Sequence, residues 1–175
     1  MRKPEMPERS KANSPLRRRS EPYPIDRTDA AILRELAADG RLPRAELARR
    51  VGLSAPAVGE RVRRLEEAGV ITGYHARLDP ARLGLPLTVL IRARPSPGLM
   101  ADMAEAIRAV PQIVACERVS GEDCFVARAH VADPAEMEAV IDRLVPFGAT
   151  NTAVVQSTPV EPRMLELRRD EERRP

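Results

Sequence analysis

A chain of 175 residues has room for one medium domain or two small ones, and 43% apolar with 31% charged residues describes a soluble, globular protein. Only 2% of it is aromatic and Trp is absent, so a core must be built from Leu, Val, Ile, Ala and Met. A net charge of +3 does not single out a polyanion partner, no apolar run approaches the ~18 residues of a spanning helix, and two cysteines without secretory context exclude a disulfide framework and point to a reducing cytoplasm.

Residues 1–24 hold seven Lys or Arg, three Glu and five Pro. So little apolar surface cannot offset the entropy of ordering, and the stretch reads as a disordered basic tail. Its Arg17, Arg18 and Arg19 can meet DNA phosphates without sequence preference, although a solvated tail is the simpler reading.

Residues 25–79 read as three helices and a wing. Asp26 caps a helix that turns Ala30, Ile32, Leu33 and Leu36 inward before Asp39 and Gly40 end it. A second helix starts near Arg44, carries the stripe Leu47, Ala48, Val51, and is stopped by Gly52. Ser54 caps a third, with Pro56 in its first turn, Ala55, Val58, Val62 and Leu65 on one face, and Gly69 at its close. Val70 to Leu78 alternates as a short strand or pair of strands, with Ile71 packed inward.

Residues 80–86 read as a linker, and 87–160 as a second domain before a charged C-terminal tail, 161–175. Leu87, Val89, Ile91 and Ala93 alternate with Thr88, Leu90, Arg92 and Arg94 as in a strand. Leu99, Met103, Ile107 and Val110 follow at helical spacing. Ile113 to Val119 and Phe125 to Val131 read as strands joined through Ser120-Gly121-Glu122-Asp123. Asp133, Pro134 and Glu136 announce a helix with a capping box, whose Met137, Val140, Ile141 and Leu144 face the sheet; Gly148 is expected to end it and 149–159 to form the last strand.

The order β-α-β-β-α-β is the split βαβ arrangement of ferredoxin-like domains, so the chain is α+β, a winged helix-turn-helix domain followed by a ferredoxin-like one. Two helices cover one sheet face. Leu90 and Val126 on the other face would meet water unless a second subunit covers them, which predicts a dimer at least.

Residues 44–63 have helix-turn-helix spacing, with a third helix whose amino end can enter a major groove of double-stranded DNA. With the 55/58/62/65 stripe buried, helical rotation puts Pro56, Glu60, Arg63 and Arg64 outside, flanked by Ala57 and Gly59. Glu60 can accept from cytosine, Arg63 and Arg64 can meet guanine or phosphate, and small Ala57 and Gly59 let the helix approach closely. Arg44 and Ser54 belong to the same surface. Arg61, nearer the core edge, is assigned a phosphate-positioning or structural role. Without the turn and the helix before it, a solvated, salt-bridged face would be the better explanation of these charges; with them the DNA-binding reading is preferred.

The runs Ile25-Asp26, Asp39-Gly40-Arg41, Glu46-Leu47-Ala48, Val51-Gly52-Leu53-Ser54, Glu60-Arg61-Val62-Arg63-Arg64-Leu65-Glu66, Gly69-Val70-Ile71-Thr72-Gly73-Tyr74 and Leu83-Gly84 closely resemble the Lrp/AsnC family of feast/famine transcriptional regulators. The resemblance covers residues 25–160. It implies a DNA-binding winged helix-turn-helix, a RAM-type βαββαβ domain for effector binding and assembly, dimers that associate into octamers, amino acids as effectors, and a cytoplasmic, nucleoid-associated regulator. It also implies an effector site at a dimer interface near Gly121, Glu122, Asp123 and Cys124, completed by Thr150, Asn151 and Thr152. Here the chain departs from the family: where Gly-x-x-Asp is usual, the acid is Asp123, one place early, and Cys124 stands in the Asp position. Asp123 or Glu122 must then meet an ammonium group, or the ligand differs.

No cofactor or metal is implied, since His75 and His130 are isolated and no paired Cys or His spacing occurs. Two other readings compete, an effector-independent architectural DNA-binding protein and a ferredoxin-like enzyme fused to a DNA-binding module. The second lacks an acid-base pair. A redox switch between Cys116 and Cys124 on paired strands is weaker than two inert thiols.

Overall fold

The computed structural model describes residues 22–163 and residue 165. The arginines at 17–19 and most of the charged stretch 161–175 lie outside the described residues. The chain divides into two compact units, the first ending at His75 and the second spanning Ala76–Arg163.

The first unit holds α1 (Arg27–Ala38), α2 (Arg44–Val51) and α3 (Ala55–Glu67). α1 begins at a reciprocal cap, the Asp26 carboxylate accepting from Asp29 N at 2.7 Å and the Asp29 carboxylate from Asp26 N at 3.4 Å. Gly52 ends α2 in the left-handed region at φ 70, where a Cβ would be strained. Two residues on, Ser54 Oγ accepts from Ala57 N at 3.4 Å and starts α3. Ile32, Leu47, Ala48, Val58 and Leu65 form the buried cluster, with Leu33, Leu36, Val51, Ala55, Val62 and Ile71 packed against it.

The strands expected within residues 70–78 do not form, and residues 72–79 carry no regular secondary structure. Val70 N and Ile71 N both donate to Leu65 O, at 2.9 and 3.1 Å, closing α3. Their donors are thereby withdrawn from any ladder, while Ile71 still packs inward as its pattern predicts.

The second unit is β1 (Leu87–Pro95), α4 (Met100–Arg108), β2 (Ile113–Arg118), β3 (Phe125–Val131), α5 (Pro134–Asp142) and β4 (Gly148–Val154). The strands run antiparallel in the order β2-β3-β1-β4, the split βαβ topology. Val89, Ile91 and Ala93 of β1 and Phe125, Ala127, Ala129 and Val131 of β3 are buried with Met103, Ile107 and Val110 from α4 and its C-terminal end, and Val140 and Leu144 from α5 and the residues after it. Leu90 and Val126 alternate onto the opposite face and are half-buried.

Three local expectations change. α5 stops at Asp142 rather than at Gly148, because Pro146 has no N–H to continue the helix, and a 3₁₀ turn spans Val145–Phe147. Gly148 instead opens β4 against β1: a Cβ there would fall 2.1 Å from Arg94 O. β4 ends at Val154 rather than at residue 159, since Val155 N takes Thr88 O at 2.9 Å and β1 itself begins at Leu87, directly after Pro86. Asp133 caps α5 through Glu136 N at 2.8 Å, but Glu136 closes no box on Asp133; its carboxylate accepts from Ala132 N and from Gln112 Nε2, both at 2.7 Å.

Candidate nucleic-acid interface and ligand turn

α2, the turn Gly52-Leu53-Ser54 and α3 stand as two helices joined through Leu53 N donating to Ala48 O at 3.0 Å. Val58 and Leu65 bury one face of α3, which leaves Pro56, Ala57, Glu60, Arg63 and Arg64 exposed and Gly59 half-buried. That face is laced with charge pairs. Arg63 meets Glu60 Oε1 at 2.7 Å and Glu67 Oε1 at 2.5 Å, and this hydrogen bonding pushes the arginine's pKa up and the Glu60 carboxyl's down. On α2, Arg49 and Arg50 share Glu46, whose carboxyl is held down at about 2 by hydrogen bonds from both. Exposed pairs of this kind are worth little, so a phosphate or base edge can replace them cheaply.

Arg61 is different. Its Nη1 reaches Asp26 Oδ2 at 2.6 Å and Asp29 Oδ1 at 2.7 Å, and Asp29 is buried, so the residue ties α3 to the start of α1. Of the two roles open to it, the geometry displays the structural one. Ser54 serves as the α3 cap, and Arg44, the first residue of α2, lies along Gly59 of α3. Neither Arg44 nor Arg64 holds a carboxylate among the described residues.

In the second unit the β2–β3 turn carries Gly121 at φ 117, followed by Glu122 and Asp123. Both acids meet one cation from β1: Arg94 Nη2 stands 2.5 Å from Glu122 Oε2 and 3.7 Å from Asp123 Oδ1. Cys124 is half-buried just before β3 and packs against the core. The three polar residues of β4 do not share a face. Thr150 and Thr152 pair with Ala93 and Ile91 and so lie on the helix-covered side, whereas Asn151 pairs with Arg92 on the open side. Thr152 Oγ1 is buried without a hydrogen-bond partner among the described residues. The cysteines are not opposed, because Cys116 pairs with Ala127 and Cys124 precedes the strand. His130 is engaged structurally, its Nδ1 lying 3.0 Å from Thr88 Oγ1, and burial, then the Arg128 charge, lowers its pKa.

Residues 25–72 match the winged helix-turn-helix DNA-binding family, and residues 88–165 match the Lrp/AsnC ligand binding domain. The chain is 38% identical to the HTH-type transcriptional regulator LrpA of Mycobacterium tuberculosis, over 69% of this chain and 81% of that one. The chain belongs to the Lrp/AsnC family of transcriptional regulators. LrpC of Bacillus subtilis is 33% identical over 76% of this chain and 92% of its own length. The LrpC structure superposes with a TM-score of 0.75 at 32% identity, covering 78% of this chain and 97% of that one. A feast or famine regulatory protein of M. tuberculosis, solved in complex with L-methionine, superposes with a TM-score of 0.75 at 34% identity, covering 81% of this chain and 98% of that one.

For this Lrp/AsnC regulator the residue that sequence reasoning missed at the β2–β3 turn is Arg94. Its signal was present in the alternation that sets Arg92 and Arg94 on the polar side of β1. What the pattern could not show is that chain pairing brings position 94 to the turn at 122–123. No helix among the described residues is long and apolar enough to cross a membrane.

Proposed function

We propose that this Lrp/AsnC regulator binds specific DNA sequences through α3 and that an amino acid bound at the second unit modulates that binding, in a nucleoid-associated, cytoplasmic assembly that is at least dimeric. The observation that carries the DNA reading is the exposed α3 face: Pro56 and Ala57 leave its first turn uncluttered, Gly59 follows with Arg44 lying along it, and Glu60, Arg63 and Arg64 supply base and phosphate groups. Arg44 and Ser54 lie beside it, and Arg61 orients it. The effector site is assigned to Gly121, Glu122, Asp123 and Cys124, with Thr150, Asn151 and Thr152 on the last strand. The methionine complex of the similar M. tuberculosis protein supports an amino acid as ligand. Its action is binding rather than catalysis.

Titration of the duplex upstream of its own gene, with and without each of the twenty amino acids and with oligomer size followed in parallel, tests this. A shift in affinity or size with one of them is expected. Tight binding indifferent to all would replace the sensor by an architectural DNA-binding protein. Within the DNA reading, Arg63→Ala is expected to lose ~1–3 kcal/mol and relax preference at one position. Equal loss on every sequence would make Arg63 a phosphate contact.

A further inference from the structure

Two residues of the helical unit break the local rules for the places they occupy, and they touch each other. Gly59 sits inside α3, where glycine is a poor helix former. Arg44 is the first residue of α2, where the positive end of the helix dipole disfavours a cation. A Cβ at position 59 would stand 3.3 Å from Arg44 Nη1, 3.4 Å from Cδ and 3.5 Å from Cζ. The arginine therefore lies against the side of α3 that the missing side chain leaves open, where a larger side chain would displace it.

The neighbouring cations are engaged, Arg49 and Arg50 with Glu46 and Arg63 with Glu60 and Glu67. Arg44 is exposed and pairs with no carboxylate among the described residues, so an outside anion takes its charge without breaking an ion pair. Paired local conflicts of this sort are expected where function rather than stability sets the residue.

We propose that Gly59 is a positioning residue, a notch that seats Arg44 across α3 and makes its guanidinium a clamp on a DNA phosphate, holding the helix at one depth in the groove. The inference rests on α3 being the helix that enters DNA. It also gives the glycine a different purpose from close approach to the bases, because the space beside it is filled by the arginine.

The test is the salt dependence of binding to the upstream duplex and to a short random-sequence duplex. Arg44→Gln is expected to lower the slope of log K against log salt by about 0.9 on both, as for one lost phosphate contact. Gly59→Leu, which fills the notch, should lower it equally, and the double variant should lower it no further. Gly59→Ala should lower it less than Gly59→Leu does, since an exposed arginine yields a few tenths of an ångström to a methyl group. Thermal midpoints of both Gly59 variants should equal or exceed the wild type, because a helix former replaces glycine.

An unchanged slope in Arg44→Gln overturns the clamp. Gly59→Leu that binds weakly at the wild-type slope overturns the seat and returns the glycine to close approach. A wild-type chain that binds neither duplex at any salt refutes the DNA reading itself, a result separate from either of these.

Discussion

The helical unit is closed by five buried residues, Ile32, Leu47, Ala48, Val58 and Leu65, whereas twelve, running from Val89 to Leu144, close the sheet unit. Their polar ties differ in kind as well. Arg49, Arg50 and Arg63 find carboxylates three or four residues away on their own helices, and Arg50 with Glu35 and Arg61 with Asp26 and Asp29 tie helix to helix. Arg94 instead joins a strand to a turn 28 residues along the chain. Helical spacing places most of these side chains in the first unit. In the second, strand register does, and a residue's neighbours there depend on how distant segments pair.

The largest effects follow from the two cores. Leu65→Ala and Ile91→Ala each remove a fully buried side chain, and each is expected to cost ~2–5 kcal/mol. The consequences should diverge. A five-residue cluster has little reserve, so Leu65→Ala is expected to abolish DNA binding at room temperature, whereas Ile91→Ala lowers the urea midpoint of a sheet that remains folded. Circular dichroism melts beside DNA titrations check this, and equal loss of DNA binding in both variants would break the contrast.

A smaller effect is expected from the Arg61 tie between α3 and the start of α1. Arg61→Ala leaves the buried Asp29 carboxylate without its guanidinium, at a cost of ~1–3 kcal/mol. It should also change the response to acid. Burial works to raise the Asp26 pKa, but the Asp29 backbone N–H and the Arg61 guanidinium prevail and hold it below its ordinary value. A carboxyl lowered on folding adds stability that is complete above the unfolded pKa, about 3.9, and that fades as pH falls through the lowered folded value. The variant should lose part of that contribution, so thermal midpoints taken between neutral pH and about pH 3 should fall less steeply than in the wild type. Curves displaced by a constant amount would remove the ionic tie from the account.

What could be read in advance follows the same division. Asp26, Gly52, Ser54 and Asp133 mark helix ends through their own chemistry, and each acts where it was expected. Alternation in 87–94 and 125–131 was enough to locate the strands, because period two is itself local. The wing strands failed because Val70 and Ile71 alternate suitably yet give their N–H groups to Leu65, a competition no pattern displays. At the β2–β3 turn, Glu122 and Asp123 were legible as acids, but their shared partner Arg94 was not. Thr150, Asn151 and Thr152 look like one polar patch in the sequence, and the pleat divides them between two faces.

That division yields the smallest and most discriminating prediction. Thr152 pairs with Ile91 on the covered side, and its hydroxyl is buried without a partner among the described residues. A buried polar group left unsatisfied costs ~1–3 kcal/mol, so Thr152→Val, which keeps the shape and removes the hydroxyl, is expected to raise stability by about 1 kcal/mol. Thermal midpoints with and without L-methionine separate two roles. If the hydroxyl merely lacks a partner, the gain appears in both conditions and any stabilisation by the amino acid is unchanged. If it serves the effector, the variant gains only in the absence of ligand and loses the ligand-induced rise, which would bring Thr152 into the site although its strand neighbours face the other way.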